Sequence, residues 1–508
     1  MIDLWQNLCI ILYITIVREI HVSQFSENLR SHINASGMTI YKLAKETGLE
    51  RTLVHKVLND DRVPSDEFVG TIADALFLSP IERAELYKSF EIRKIGEFRY
   101  NQRAQVKQMV ELIAKAENDN RAFENGNGAH ASPPESLPDA PVGDPVQLFY
   151  GYYAINDAVK NLIEAESLKG SASKIDYFIP AKFKYFYDVL SICYMKNPTL
   201  NIRHIIPLAK KAQQQEHRNN NLTTLFSIIR LAFTSGTGYA PYYFYSDEQH
   251  ICLTAAMPYF LITSSHLLTL NADLDVAVLY RDRDMIDYYA NFFNEMVAQT
   301  HPLLKLVDNF ADILSYHLTI DRKEIIGTSC LIESQPCIGH YVTEQLVERK
   351  LRRELDNRDQ VKALALKHFE YLRKTPIADI SLFSVAGMDY MFETGYASNI
   401  PTSMMIPLTH DEIRSLISQY LDDVKSGRFA SFAIDPAKFT IPLFTTVFLD
   451  KLTGVHFLTY RDADLRAIHI NEPSIVEAFE DFCTYFEKSD LVYSQEETIR
   501  ILEGYVNR

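Results

Sequence analysis

Residues 38–86 read MTIYKLAKETGLERTLVHKVLNDDRVPSDEFVGTIADALFLSPIERAEL, and their spacing predicts a compact bundle of short helices. Thr39 can accept a hydrogen bond from the free amides at the start of a helix. Ile40, Leu43 and Ala44 then share one face at helical spacing. Gly48 supplies the positive φ that lets the chain leave that helix in a tight turn. Leu49 is an apolar plug, and Val54, Val57 and Leu58 form the inward face of a second short helix. Val63-Pro64-Ser65 breaks and recaps the chain before a helix facing inward with Val69, Ile72, Ala73 and Leu76. Ser79-Pro80-Ile81-Glu82 is a capping box with proline at the first helical position.

The stretch from about Phe25 to Leu86 resembles the lambda-repressor/Cro type of helix-turn-helix, the XRE family. The resemblance is carried by Leu43-Ala44, Gly48, the apolar residues that follow, the Pro64-Ser65 break and the capped final helix. It implies that the helix beginning near Glu50 lies in the DNA major groove. Arg51, Thr52, His55 and Lys56 match the family's base-reading surface. Arg51 would read guanine O6 and N7 as a bidentate donor, and Thr52 a base edge or methyl. Lys56 and Arg62 suit phosphates, which position rather than specify, and Thr39 joins the DNA-contacting set. The family often has Gln where this chain has Ile40, so a phosphate contact is lost and a lower operator affinity is expected. A packing module that had lost DNA binding would share the apolar pattern. The basic residues on the solvent side are what favour binding.

A chain of 508 residues and 58.3 kDa is too long for one core and suggests about three domains. Residues 22–120 hold 14 basic and 15 acidic side chains, whereas residues 121–508 hold 36 and 49. The acidic remainder would be repelled by phosphate, so DNA contact is expected only in the N-terminal part. The six cysteines lack paired spacing, which fits a reducing cytoplasm. Leu8 to Val17 is apolar but too short to span a bilayer, which leaves a buried helix, an interfacial anchor or a mis-assigned start; no membrane partner is expected. Arg18-Glu19 can be encoded as a ribosome-binding sequence ahead of a GTG codon for Val22. Residues 1–21, with Trp5, are therefore expected to be a mis-assigned extension.

The expected architecture is multidomain. An all-α helix-turn-helix domain (22–90) and a connecting helix (91–117) precede a flexible linker (118–146) rich in Gly, Pro, Asn and Ser. Arg93, Lys94, Arg99, Arg103 and Lys107 give the connecting helix a basic side, suited to flanking phosphates or to plain solvation. A large α/β body follows, as half one (147–305), a helical connection (306–375) and half two (376–508). Val276–Phe292 can be laid over Arg466–Phe482, each a buried strand, an acidic turn and an amphipathic helix, which suggests two similar halves. That ending also looks like the one closing each half of phospholipase-D-like folds. The His-x-Lys pairs which that chemistry needs occur nowhere in the chain, so a body of that type would be catalytically dead.

No phosphate-binding or dinucleotide glycine loop, nucleophile elbow or zinc helix is present, and no enzyme activity or cofactor is expected. Cys330, Cys337 and His340 have no recognised zinc spacing. Glu412, Asp422 and Asp423 read as a solvated helix face, and Arg203-His204 as a satisfied strand edge that could otherwise meet an anion. Tyr150-Gly-Tyr-Tyr153 reads as packing. Tyr242, Tyr243 and Tyr245, beside Ser235-Gly-Thr-Gly238, are the best candidates for stacking on a planar ligand. The leading expectation is a bacterial sequence-specific transcriptional regulator. It would be a homodimer on double-stranded operator DNA, with a body that senses a small-molecule or protein effector, or oligomerises. A protein-interaction scaffold and an enzyme with a DNA-targeting head stay open beside it.

Overall fold

The computed structural model describes residues 22–125, 145–197, 199–209, 215–234, 238–246, 255–307, 329–355, 357–374, 378–450, 453–461 and 464–508. Two compact units divide the chain, residues 1–101 and 102–508. No helix among the described residues is long and apolar enough to cross a membrane.

The first unit is helical: α1 (Gln24–Ala35), α2 (Ile40–Thr47), α3 (Arg51–Leu58), α4 (Asp66–Ala75) and α5 (Pro80–Ile95). Its boundaries are set locally. Thr39 accepts from the Lys42 amide at 3.2 Å, and Gly48 ends α2 at φ 71°. Ser65 caps α4, and Ser79 with Glu82 forms the capping box of α5. Leu43, Val54, Val57, Val69, Ile72, Leu86 and Phe90 are buried together in its core, with Ile40 and Leu49 half-buried against it.

The second unit is an α/β body with two mixed sheets. Helix α6 (Glu97–Asn125) begins in the first unit and enters this one. The first sheet has β1 (Val146–Tyr150), β2 (Lys174–Phe178), β3 (Asn201–Leu208), β4 (Tyr239–Tyr245), β5 (Tyr259–Thr263), β6 (Leu267–Leu270), β7 (Val276–Tyr280) and β8 (His301–Pro302). Its helices are α7 (Tyr152–Ser167), α8 (Lys184–Lys196), α9 (Gln215–Thr234) and α10 (Arg283–Ala298). The second sheet has β9 (Lys305–Val307), β10 (Cys330–Ile332), β11 (Ile380–Phe383), β12 (Ala430–Ala433), β13 (Thr445–Asp450), β14 (Gly454–Arg461) and β15 (Asp464–Ile470). Beside it run α11 (Glu344–Lys350), α12 (Arg358–Lys374), α13 (Val385–Thr394), α14 (His410–Lys425), α15 (Pro473–Tyr485) and α16 (Gln495–Val506).

The two sheets share one wiring. The first runs β1-β7-β6-β5-β2-β3-β4 with β8 added at the edge, and the second, read the same way, runs β9-β15-β14-β13-β10-β11-β12. In each, three neighbouring strands are parallel (β2, β3, β4; β10, β11, β12). In each, the strand preceding the motif pairs antiparallel with its last strand (β1 with β7, β9 with β15). The aligned segments Val276–Phe292 and Arg466–Phe482 fall on equivalent elements, β7–α10 and β15–α15. Asp282 and Glu472 cap the two helices alike, accepting from the Met285 and Ile475 amides at 3.0 Å each. One buried cluster includes residues of both halves, and Phe233 of α9 meets Phe457 of β14 edge-on at 5.6 Å.

Several expectations are corrected. The connecting helix expected over 91–117 is not one helix: α5 ends at Ile95, Gly96 breaks it at φ 87°, and α6 runs to Asn125, so the linker does not begin at Asn118; residues 126–144 lie outside the described residues. That segment also does not join head to body. Val106, Met109, Val110 and Ile113 of α6 are already in the body's core, Arg103 is paired with Asp481 at 2.6 Å, and buried Glu117 accepts from Leu443 N, Phe444 N and Thr445 Oγ1. The segment connects two parts of the body. The second sheet claims Cys330–Ile332, inside the stretch 306–375 read as a helical connection, whose described helices are α11 and α12. Residues 1–21 also lie outside the described residues.

Candidate nucleic-acid interface

Helix α3 buries Val54, Val57 and Leu58 at helical spacing, which turns Arg51, Thr52 and Lys56 to solvent and leaves His55 half-buried. Arg62 and Thr39 are also exposed, although the Thr39 hydroxyl is occupied in capping α2. Thr52 Oγ1 lies 3.4 Å from Glu50 Oε2, so that carboxylate shares the surface with the basic residues.

The C-terminal end of α3 is held by long-range contacts. Asp61 N returns to Lys56 O at 2.8 Å and Asp60 N to Val57 O at 3.2 Å, with Asp60 in the left-handed region at φ 64°. This is a Schellman ending with aspartate where glycine is usual. The carboxylate accounts for the choice. It accepts from Ser23 N, from Ser23 Oγ at 2.7 Å and from Ser26 Oγ at 2.8 Å, and it pairs with Arg93. Burial raises the Asp60 pKa, but these hydrogen bonds and the Arg93 charge outweigh it and hold the group below its ordinary value. Arg93 also donates to Val57 O at 3.2 Å and Arg62 O at 2.9 Å, and Arg30 donates to Leu58 O at 2.9 Å. Two arginines from α1 and α5 therefore satisfy carbonyls at the end of α3, where the helix dipole favours positive charge. The sequence contains these residues without signalling the role, because Ser23, Ser26, Asp60 and Arg93 are far apart along the chain.

The basic side read along residues 93–107 is mostly committed internally. Lys94 pairs with Asp66 at 2.9 Å, Arg103 with Asp481 and Lys107 with Glu111 at 3.0 Å, while Arg99 is exposed.

The other candidates are dispersed. Arg203 makes a bidentate pair with buried Asp176 at 2.6 and 2.7 Å, and His204 is enclosed by Tyr177, Tyr187 and Tyr239. Burial pushes the His204 pKa down to about 3, so the ring is a neutral core member. Tyr242 and Tyr243 pack half-buried on the body's core, and the Tyr245 hydroxyl donates to Glu472 Oε1 at 3.3 Å. Residues 235–237 of the adjacent segment lie outside the described residues. Tyr150, Tyr152 and Tyr153 are exposed rather than packed. Cys337 Sγ is 3.8 Å from His340 Nδ1, but Cys330 faces Cys483, and no metal-binding group occurs among the described residues. Glu412 pairs with Lys350 and Arg349, Asp423 accepts from Tyr341 at 2.9 Å, and Asp422 is exposed. Sequence reading passed over Glu333, a buried carboxyl at the end of β10 that lines the body's pocket. Its only signal was an acid directly after the apolar strand Cys330–Ile332.

No family model matches the chain, and no curated protein sequence does. Solved structures with some likeness include TrmBL2, described as an archaeal chromatin protein with a novel mode of DNA binding (13% identity, 56% of this chain, 97% of that one, TM-score 0.23). Phosphatidylserine synthase from Haemophilus influenzae Rd KW20 covers 72% of this chain and 93% of its own at 8% identity and TM-score 0.23. Polyphosphate kinase from Porphyromonas gingivalis covers 72% and 56% at 11% identity and TM-score 0.21. None of the three superposes closely enough to assign a fold or a function.

Proposed function

We propose that the chain is a sequence-specific DNA-binding transcriptional regulator of the lambda-repressor/Cro type, with an α/β body that senses an effector or oligomerises. The observation that supports this most is α3 itself. It follows α2 through a tight left-handed turn at Gly48, and it buries its apolar residues while presenting Arg51, Thr52 and Lys56 outward. In this reading Arg51 and Thr52 read base edges, with His55 beside them. Lys56 and Arg62 contact phosphates, and Thr39 marks the N-terminal end of α2 toward the backbone. The body is a binding module rather than an enzyme.

The regulator acts as a homodimer, because one head buries too little surface for tight operator binding. The exposed apolar stripe Val146, Leu148 and Tyr150 on edge strand β1, next to exposed Tyr152 and Tyr153, supports a contact between copies there. An effector would act by changing how two heads are presented to DNA. The test is selection of genomic fragments by the purified full chain at moderate salt, followed by sequencing. A retained palindromic motif is expected. Retention of no DNA, or of DNA without a motif, would refute the reading and favour a scaffold.

A further inference from the structure

The two halves differ most between their first two parallel strands. In the first half residues 179–200 connect β2 to β3 with one α-helix. In the second, residues 333–379 connect β10 to β11, more than twice as long and carrying α11 and α12. The added helices stand off the end of β10 and leave a pocket of about 210 Å³. Its walls are apolar, with Leu346, Ala365, Phe369, Leu372, Met405 and Phe448 among them. An apolar cavity of ~150 Å³ takes a benzene-sized guest, so this one suits roughly eight to twelve non-hydrogen atoms.

One buried acid stands in that apolar wall. Glu333 is 5% exposed, and its Oε1 accepts from Asn399 Nδ2 at 3.5 Å and Thr446 Oγ1 at 3.4 Å, both long, with the Cys337 thiol a further weak donor to the carboxyl. Its second oxygen, Oε2, is buried with no hydrogen-bond partner. A buried carboxyl oxygen left without a donor costs folding energy, and native proteins tolerate such groups mainly where something else supplies the partner. Lys350, the other charged residue of the wall, is engaged by Glu412 at 2.6 Å and Pro407 O at 2.9 Å. The titratable residues that share the wall are His340, His368 and Cys337.

We propose that this pocket binds a small, mainly apolar molecule carrying a hydrogen-bond-donating nitrogen, an amine or an N–H heterocycle, with Glu333 Oε2 as the acceptor. The apolar walls hold the body of the ligand, and Glu333 Oε2 selects its head. Anionic molecules of the same shape are rejected, because they would meet the carboxylate in a medium of low dielectric. Burial pushes the Glu333 carboxyl up to about 7 against the donors Asn399, Thr446 and Cys337, as expected for an acid waiting in an apolar wall. The assignment stands on the pocket alone and does not depend on DNA binding by the head.

The test is calorimetry on the full chain without DNA at pH 8, where Glu333 is ionised and histidines are largely neutral. The probes are phenethylamine, indole, ethylbenzene and 3-phenylpropanoate. At least one nitrogen probe should bind tenfold or more tightly than ethylbenzene, and 3-phenylpropanoate should be the poorest. Glu333→Leu should erase the preference. Ala365→Phe, which fills the pocket from α12, should abolish binding of every probe. Glu333→Gln, which keeps an acceptor but not the charge, should retain indole better than phenethylamine and guards against a Glu333→Leu chain that fails to fold. Binding of no nitrogen probe, equal affinity for ethylbenzene, a preference that survives Glu333→Leu, or binding unmoved by Ala365→Phe would each overturn the proposal.

Discussion

Replacing Asp60 by glycine sets two physical arguments against each other. Asp60 holds a left-handed conformation at φ 64°, and glycine adopts that region without the steric cost carried by other residues, about 1 kcal/mol at most for aspartate. A local reading of the helix ending therefore expects Asp60→Gly to stabilise. The tertiary contacts expect the opposite. The carboxylate accepts from Ser23 N, Ser23 Oγ and Ser26 Oγ and pairs with Arg93, whose side chain is only 8% exposed. Hydrogen bonds to charged groups contribute about 1.5–3 kcal/mol each, and an abandoned buried charge costs more, though Asp60 is partly open to solvent. Taking about 3–5 kcal/mol for the network and subtracting the relief at φ leaves a net loss of roughly 2–4 kcal/mol. At 1.4 kcal/mol per decade, amides of α1, α3 and α5 should exchange roughly 30- to 700-fold faster by mass-spectrometric hydrogen exchange on the full chain. Arg93→Met should produce a comparable change, and the double variant should cost less than the two single losses added. Unchanged or slower exchange in Asp60→Gly would show that the network contributes nothing to the fold of the head.

Because the Asp60 carboxyl is held below its ordinary value, its contribution is present above the unfolded-state pKa and lost as pH falls through the lower folded value. Exchange in the head should therefore rise on acidification below about pH 4, and less so in Asp60→Gly. Arg51→Ala and Lys56→Ala should leave stability within about 0.5 kcal/mol. In binding assays Arg51→Ala should lose about 1–3 kcal/mol and relax specificity at one base, while Lys56→Ala should weaken all sequences alike and lower the salt slope by about 1. Equal effects of both on specificity would contradict the assigned roles. Glu333, raised to about 7, has the opposite sign: its folded form prefers the proton, so the body loses stability as pH rises from about 4.5 to 7. Glu333→Gln should remove that loss, about 3 kcal/mol by the linkage constant, in denaturation measured at pH 5 and pH 8. A Cβ added at Gly387 would overlap Ser334 O, so Gly387→Ala should destabilise the body strongly, read by its thermal midpoint; an unchanged midpoint would show that α13 can shift.

The helices of the head were legible because their determinants are local. Thr39, Gly48, Ser65 and the Ser79–Glu82 box act within one turn, and 3.6-residue periodicity marks which side is buried. The β7–α10 and β15–α15 units were legible for the same reason, since a buried strand, an acidic cap and an amphipathic helix are contiguous. Edge strands β1 and β9 were not, because a strand there is defined by its partner, Val276–Tyr280 for one and Ala467–His469 for the other. Three residues, Cys330–Ile332, carry too little pattern to announce β10 in the interior of a sheet.

Composition marked a linker after Asn118, but composition cannot say what a segment joins. That was decided when α6 buried Val106, Met109, Val110 and Ile113 in the body and secured Arg103 and Glu117 there. The sequence by itself determined the caps that open α2, α4 and α5 and the glycine that closes α2, which faces of these helices and of α3 are buried, and that the body repeats a strand-turn-helix unit, since each depends on neighbours a few residues away. The tertiary structure alone decided why an aspartate rather than a glycine closes α3, the shared wiring of the two sheets and the enclosure of Glu333. These depend on groups tens to hundreds of residues apart, whose energies exist only once burial has removed the water between them.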